Sequence, residues 1–108
     1  MENKRAGEKP VKLTEPQIEE RLMSLSGWSR KDEKWIEKKF RFKEFLDGIE
    51  FVNQVAHLAE QMVHHPMISI DYKLITLRLT TWNEGGLTEL DMESAREFDA
   101  LYKKYRSA

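Results

Sequence analysis

The sequence predicts an α+β fold: a four-stranded antiparallel sheet with helices packed on one face, in the order helix, strand, strand, helix, strand, strand, helix. Three observations predict it. Apolar residues recur at steps of three and four in three separate segments, the period of an amphipathic helix. Two intervening stretches alternate with period two and are broken by polar turns, the pattern of paired strands. Antiparallel strands of this kind bury their apolar face under helices laid on one side.

The chain has 108 residues, a length that suits one domain around one core. Residues 1–12 are polar and include Gly7 and Pro10. They can bury little apolar surface, so a disordered tail is expected there, with a single domain over 13–108.

The first helix opens at Thr14, a capping residue, and Gln17 completes a capping box with it. Leu13 and Ile18 flank the cap as a hydrophobic staple, and Pro16 falls in the first turn, where a missing N–H costs nothing. Ile18, Leu22 and Leu25 form its apolar stripe, and Gly27 is expected to end it. Trp28 then opens a short strand, and Arg30-Lys31-Asp32-Glu33 form a polar turn. Ile36, Phe40 and Phe42 share one parity of the next strand, with Lys39 and Arg41 on the other. Trp35 and Lys38 depart mildly from that pattern.

The second helix is expected over about Lys43–Met62. Phe45, Ile49, Val52, Ala56 and Ala59 form its stripe, widened by Val55 and Met62, and Gly48 marks a close packing contact. Pro66 cannot lie inside this helix and biases His65 away from helical geometry. His64 and His65 therefore sit where the helix gives way to a strand. Ile68 and Ile70 alternate after it. A long strand is expected from Tyr72 to Trp82, with Ile75, Leu77 and Leu79 on its apolar face. Asn83-Glu84-Gly85-Gly86 is a loop. Thr88 caps the last helix with Asp91 at its third position, and Ala95, Phe98, Tyr102 and Tyr105 mark its core side. A sheet of this size leaves edges, and its second face is half apolar, so self-association is expected.

Composition narrows the function. A formal net charge of −1 argues against nucleic acid or an anionic membrane as the main partner. The absence of cysteine excludes disulfides, thiolate catalysis and thiolate zinc sites. No apolar run approaches the roughly 18 residues of a membrane span, and the charged N-terminus has no apolar secretory core. A cytoplasmic protein is expected.

All three histidines, His57, His64 and His65, lie within nine residues, with Glu60 among them. Histidine can give and take a proton near neutral pH, and two adjacent ones at a helix end point in different directions. They can line a cleft, or they can be solvated structural residues. His57, Glu60 and His64 have spacings of three and four, which could place carboxylate and imidazole on one helix face as zinc or iron ligands. Against this, His57 is offset from the stripe that holds Ala56 and Ala59. Glu60 could orient a histidine or accept hydrogen bonds from a heterocycle. Asp91 has a helix-capping role available. Tyr72 and Trp82 have simple packing roles available, and Arg78 a surface one.

Together these residues resemble the signature of the pterin-4a-carbinolamine dehydratases. The acidic Glu60 is followed, after three residues, by His64-His65-Pro66. Tyr72, Trp82 and Asp91 follow at the family's spacings without a gap. Lys39-Phe40-Arg41-Phe42-Lys43, Thr80-Thr81-Trp82 and Gly85-Gly86-Leu87-Thr88 match as well, so the resemblance covers about residues 13–105. It implies an α+β sandwich that forms homodimers or homotetramers. It also implies removal of water from a 4a-hydroxytetrahydropterin to give a quinonoid dihydropterin, in pterin recycling, with no metal and no organic cofactor. On this reading His64, His65 and Glu60 are catalytic. Pro66, Thr80, Thr81, Trp82, Asn83 and Asp91 contact the pterin or shape its cleft. Animal members carry a third histidine where this chain has Trp82, and tryptophan is an accepted variant. An indole does not titrate near neutral pH, so His64 and His65 carry the imidazole chemistry. Some relatives of this fold act without catalysis, as a dimerisation cofactor for a transcription factor or as an assembly chaperone, and that is the competing expectation.

Overall fold

The computed structural model describes residues 10–106. The expected tail falls mainly on residues 1–9, which lie outside the described residues. Thr14 and Gln17 form the capping box: Gln17 N donates to Thr14 Oγ1 at 3.3 Å, and Thr14 N to Gln17 Oε1 at 2.8 Å. Helix α1 then runs Glu15–Met23. It ends earlier than expected, because Ser24 and Leu25 bond back three residues, to the Arg21 and Leu22 carbonyls. Gly27 belongs to the following turn, where its φ of +88° suits glycine. That turn delivers Trp28 into the core, edge-on to Phe40 at 6.1 Å.

Strands β1 (Ser29–Arg30) and β2 (Ile36–Arg41) pair antiparallel across the predicted polar turn. Lys38 has the core-facing parity of β2, since it stands opposite Leu77 as Phe40 stands opposite Ile75. Its ammonium escapes the core by pairing with Asp99 at 2.9 Å and donating to the Ser26 carbonyl at 3.0 Å. Asp99 also accepts from Trp28 Nε1 at 3.1 Å, so one carboxylate ties three segments together.

Helix α2 runs Phe45–Met62. Its buried row is Gly48, Phe51, Val55 and Ala59, not the row that begins at Phe45. Phe45 and Ala56 are exposed. Two adjacent rows of this helix are apolar, each with a phenylalanine, and packing against the sheet and α3 rings decides between them. Phe51 meets Phe40 at 5.0 Å, Phe42 at 5.3 Å and Tyr102 at 5.8 Å. Gly48 does mark close packing: a Cβ there would lie 3.4 Å from Phe42 Cδ1 and 3.6 Å from Ile75 Cδ1.

Strands β3 (Met67–Asp71) and β4 (Leu74–Leu79) form a hairpin, and the sheet order is β1-β2-β4-β3, antiparallel throughout. The last strand is shorter than the expected 72–82. Tyr72 is the first of two loop residues in the hairpin, with φ +55°, and its exposed ring stacks on Phe45 at 6.2 Å. Thr80 and Thr81 leave the sheet, and Trp82–Glu84 form a single 3₁₀ turn. Helix α3 (Glu89–Arg106) closes the fold. Ile36, Phe40, Ile75, Leu77 and Leu79 of the sheet form one buried cluster with Phe51, Val55, Met92, Ala95 and Phe98 of the helices. Glu37, Lys39, Arg78 and Thr76 take the opposite parity, and β3 is a free edge with Met67 and Ile70 exposed.

At the far ends of α2 and α3, the Tyr105 hydroxyl donates to Glu50 Oε1 at 2.7 Å and accepts from Gln54 Nε2 at 3.3 Å. Burial foremost, and then the bond to Glu50, push the Tyr105 phenol above its ordinary value. The folded-state value is raised, so the stability this group contributes is complete below the unfolded value of about 10 and is lost as pH rises beyond it. Thermal melts followed from pH 9 to pH 11 should fall more steeply for the wild type than for Tyr105→Phe.

Candidate active site

The site begins with a distortion. Val63 caps α2 with φ 52° and ψ 45°, the left-handed region, where a β-branched residue is a genuine outlier. The turn is held by His64 N donating to the Ala59 carbonyl at 3.1 Å and Val63 N to that of Glu60 at 3.3 Å. Val63 itself is 79% exposed, so its conformation is not imposed by packing of its own side chain. Its effect is to reverse the chain at once, and the two histidines diverge. His64 turns inward, with 8% of its surface exposed, and His65 faces solvent. Pro66 then leads into β3.

His64 Nε2 lies 2.7 Å from Asp91 Oδ1. Asp91 is in the first turn of α3 and is 0% exposed. Its other oxygen, Oδ2, accepts from the Thr88 N–H at 2.9 Å and from the Thr81 hydroxyl at 2.8 Å. A buried carboxylate is tolerable only when its oxygens are met by donors, and here both are. The helix N-terminus adds a favourable dipole. With Asp91 ionised, His64 must present Nε2–H to it. That leaves Nδ1, which Asp91 does not engage, as the nitrogen that carries the lone pair. A carboxylate behind an imidazole fixes its orientation and stabilises the imidazolium when a proton arrives.

His65 Nε2 lies 2.6 Å from Glu60 Oε2, one turn back on α2, and both side chains are largely open to solvent. Thr80 and Thr81, just beyond β4, are buried, and Thr80 donates to the Lys34 carbonyl. Trp82 is 70% exposed and packs edge-on against Trp35 at 5.2 Å; the Arg78 guanidinium lies over the Trp35 ring at 5.6 Å. Asn83 is exposed beside Trp82. The structure therefore joins His64 to Asp91 and Thr81, and His65 to Glu60. Tyr72 takes its place at the β3–β4 turn. The arrangement of His57, Glu60 and His64 as metal ligands does not form: His64 is turned to Asp91 and Glu60 to His65. Among the described residues no group of three or more His, Asp or Glu is placed to hold a metal.

Two contributors carried no separate signal in the sequence. Thr88 reads as a helix cap, and its second task under Asp91 depends on Thr81 from another element. Trp35 reads as a flaw in strand parity, but it supports Trp82.

A family model described as pterin 4 alpha carbinolamine dehydratase matches residues 11–101. A relative from Picosynechococcus, named "Putative pterin-4-alpha-carbinolamine dehydratase", is 42% identical over 91 residues, which is 84% of this chain and 98% of the relative. A crystal structure described as a transcriptional coactivator/pterin dehydratase from Brucella melitensis superposes with a TM-score of 0.81 at 36% identity, covering 84% of this chain and 98% of that one. A pterin dehydratase-like protein described as a RuBisCO assembly factor of the alpha-carboxysome shares the fold. Its TM-score is 0.60 at 23% identity, over 70% of this chain and 89% of that one.

The strain at Val63 generates a prediction. Val63→Gly removes a poorly tolerated conformation and sacrifices almost no buried surface. It should raise stability by about 0.5–1 kcal/mol, after allowing for glycine's extra unfolded-state entropy. Urea unfolding of the two proteins side by side measures this.

Proposed function

The chain belongs to the pterin 4a-carbinolamine dehydratase family, and on that premise we propose that it dehydrates a 4a-hydroxytetrahydropterin to the quinonoid dihydropterin. The observation that carries the proposal is the buried His64–Asp91 pair at 2.7 Å, which engages Nε2 and leaves Nδ1 as the nitrogen that can take a proton. The reaction removes the N5 proton and the 4a-hydroxyl, and forms the C4a–N5 double bond with release of water. His64 is the main acid/base group. Its Nδ1 accepts the proton, Asp91 stabilises the resulting imidazolium, and the same proton can be returned to the departing hydroxyl. The proton balance closes within the site, and one imidazole suffices.

His65, held by Glu60, assists the transfer or holds the pterin. Pro66 shapes the junction, while Thr80, Thr81, Trp82 and Asn83 line the opposite wall. Trp82 offers an exposed aromatic surface to a flat heterocycle, and the backbone of this segment offers donors and acceptors to its edge. Asp91 acts from behind His64. The protein is proposed to work in the cytoplasm, consistent with a chain free of cysteine. It is proposed to be a homodimer or homotetramer, with the free edge of β3 and its exposed Met67 and Ile70 as one face available for pairing.

The second reading is a protein-binding role without catalysis; one structural relative is named as a transcriptional coactivator as well as a pterin dehydratase, and another as a RuBisCO assembly factor. Phe45, Leu46 and Tyr72 form an exposed apolar surface in this chain that a partner could cover. That role would survive the loss of both His64 and His65. The enzymatic reading would not. His64→Ala should slow dehydration by about a hundredfold or more, the usual range for removing a general acid/base. Stopped-flow turnover of 4a-hydroxytetrahydropterin reads this directly, and unchanged turnover would sink the assignment.

A further inference from the structure

The cluster beneath His64 contains two hydroxyls to which the proposed reaction gives no part in proton transfer. Thr81 leaves the end of β4, Thr88 precedes α3, and both side chains are buried. Their Oγ1 atoms are 2.8 Å apart, and Thr81 Oγ1 is also 2.8 Å from Asp91 Oδ2. The direction of each proton follows by elimination. Leu90 N donates to Thr88 Oγ1 at 3.2 Å, and Thr88 N donates to Asp91 Oδ2 at 2.9 Å. An ionised carboxylate only accepts, and a hydroxyl has one hydrogen to give. Thr81 therefore donates to Asp91, and the contact between the two threonines is donated by Thr88. The chain runs from the Leu90 N–H through Thr88 and Thr81 to Asp91 Oδ2. Oδ1 remains for His64 Nε2–H.

We infer that Thr81 is a positioning residue: its hydroxyl, polarised by Thr88, holds Asp91 as an acceptor and thereby fixes His64 in the tautomer with Nε2 protonated and Nδ1 open. The inference rests on the reading of His64 as the acid/base group. It gives Thr81 a different task from lining the pterin cleft, because its one hydrogen points into the protein interior. Bonds to a charged acceptor are the stronger kind, and successive hydroxyls strengthen one another by polarisation. Without Thr81 the carboxylate keeps one donor on Oδ2 and holds the imidazole less firmly.

The test is Thr81→Val, which keeps the branched shape and the backbone bond to the Gly86 carbonyl at 3.1 Å. The readout is the long-range proton–nitrogen spectrum of His64 at a pH where it is neutral, recorded without pterin. The wild type should show Nε2 protonated and Nδ1 bare. In Thr81→Val the two nitrogens should move toward averaged values, and dehydration should slow by about tenfold, the scale of one lost hydrogen bond. Thr81→Ser should restore both. If the valine variant does not fold, Thr81→Ala is read in the same spectrum. A wild-type spectrum with the proton on Nδ1, or a folded Thr81 variant whose tautomer is unchanged, overturns the inference whatever its turnover. A wild type with no turnover, but whose tautomer is lost in the variant, would sink the catalytic reading and leave the tautomer assignment standing.

Discussion

One buried carboxylate organises the functional end of this protein. Taking Asp91 out of water costs several kcal/mol unless donors replace the lost solvent. The donors come from three separate places: the Thr88 backbone at the start of α3, the Thr81 hydroxyl beyond β4, and the His64 ring beyond α2. Each of those segments is an element end, where backbone geometry is least constrained by helix or sheet. The charge is what draws them together. Helix start, strand exit and helix stop are thus located relative to one another by a single side chain. The His64 nitrogen that Asp91 does not engage, to which the proposed function gives the proton transfer, is a by-product of satisfying that charge.

The rest of the fold supports this point rather than competing with it. The aromatic cluster of Phe40, Phe42, Phe51, Tyr102 and Tyr105 lies between sheet and helices. Lys38, Asp99 and Trp28 tie α3 to β2 and to the turn after α1. With α3 held in this way, Asp91 has little freedom to follow a moving histidine. The unfavourable backbone at Val63 is then a local concession. It is tolerated because the surrounding hydrogen bonds place His64 and His65 on opposite sides of the chain.

Much of this was legible in the sequence, and the exceptions have physical causes. Thr14 and Gln17, Pro66, and the alternation through Ile75, Leu77 and Leu79 are local signals, and local structure obeys them. The buried face of α2 was misread by one row, because Phe45 and Phe51 belong to adjacent apolar rows and only tertiary ring packing separates them. Helix α1 stops short of Gly27 because Ser24 and Leu25 bond back three residues, and β4 starts late because Tyr72 takes a left-handed conformation in the hairpin turn, of which its side chain gives no warning. At the site, Glu60 reads as a carboxylate able to orient a histidine, but which one it meets is set by the turn at Val63, and Asp91 reads as a cap. That Asp91 also faces His64, 27 positions away, follows only from the packing of α3 beside α2.

Trp82 stands outside the hydrogen-bonded chain. Its ring leans on Trp35 and is otherwise open, while the network from Thr88 to His64 closes without it. Thr81, next to it in the chain, belongs to that network, but the Trp82 ring itself supplies none of its bonds. The identity of residue 82 can drift, between ring types and between titrating and non-titrating groups, without rewiring the buried charge. On the proposed reading, the aromatic surface offered to the pterin and the pairing of His64 with Asp91 are set by different side chains.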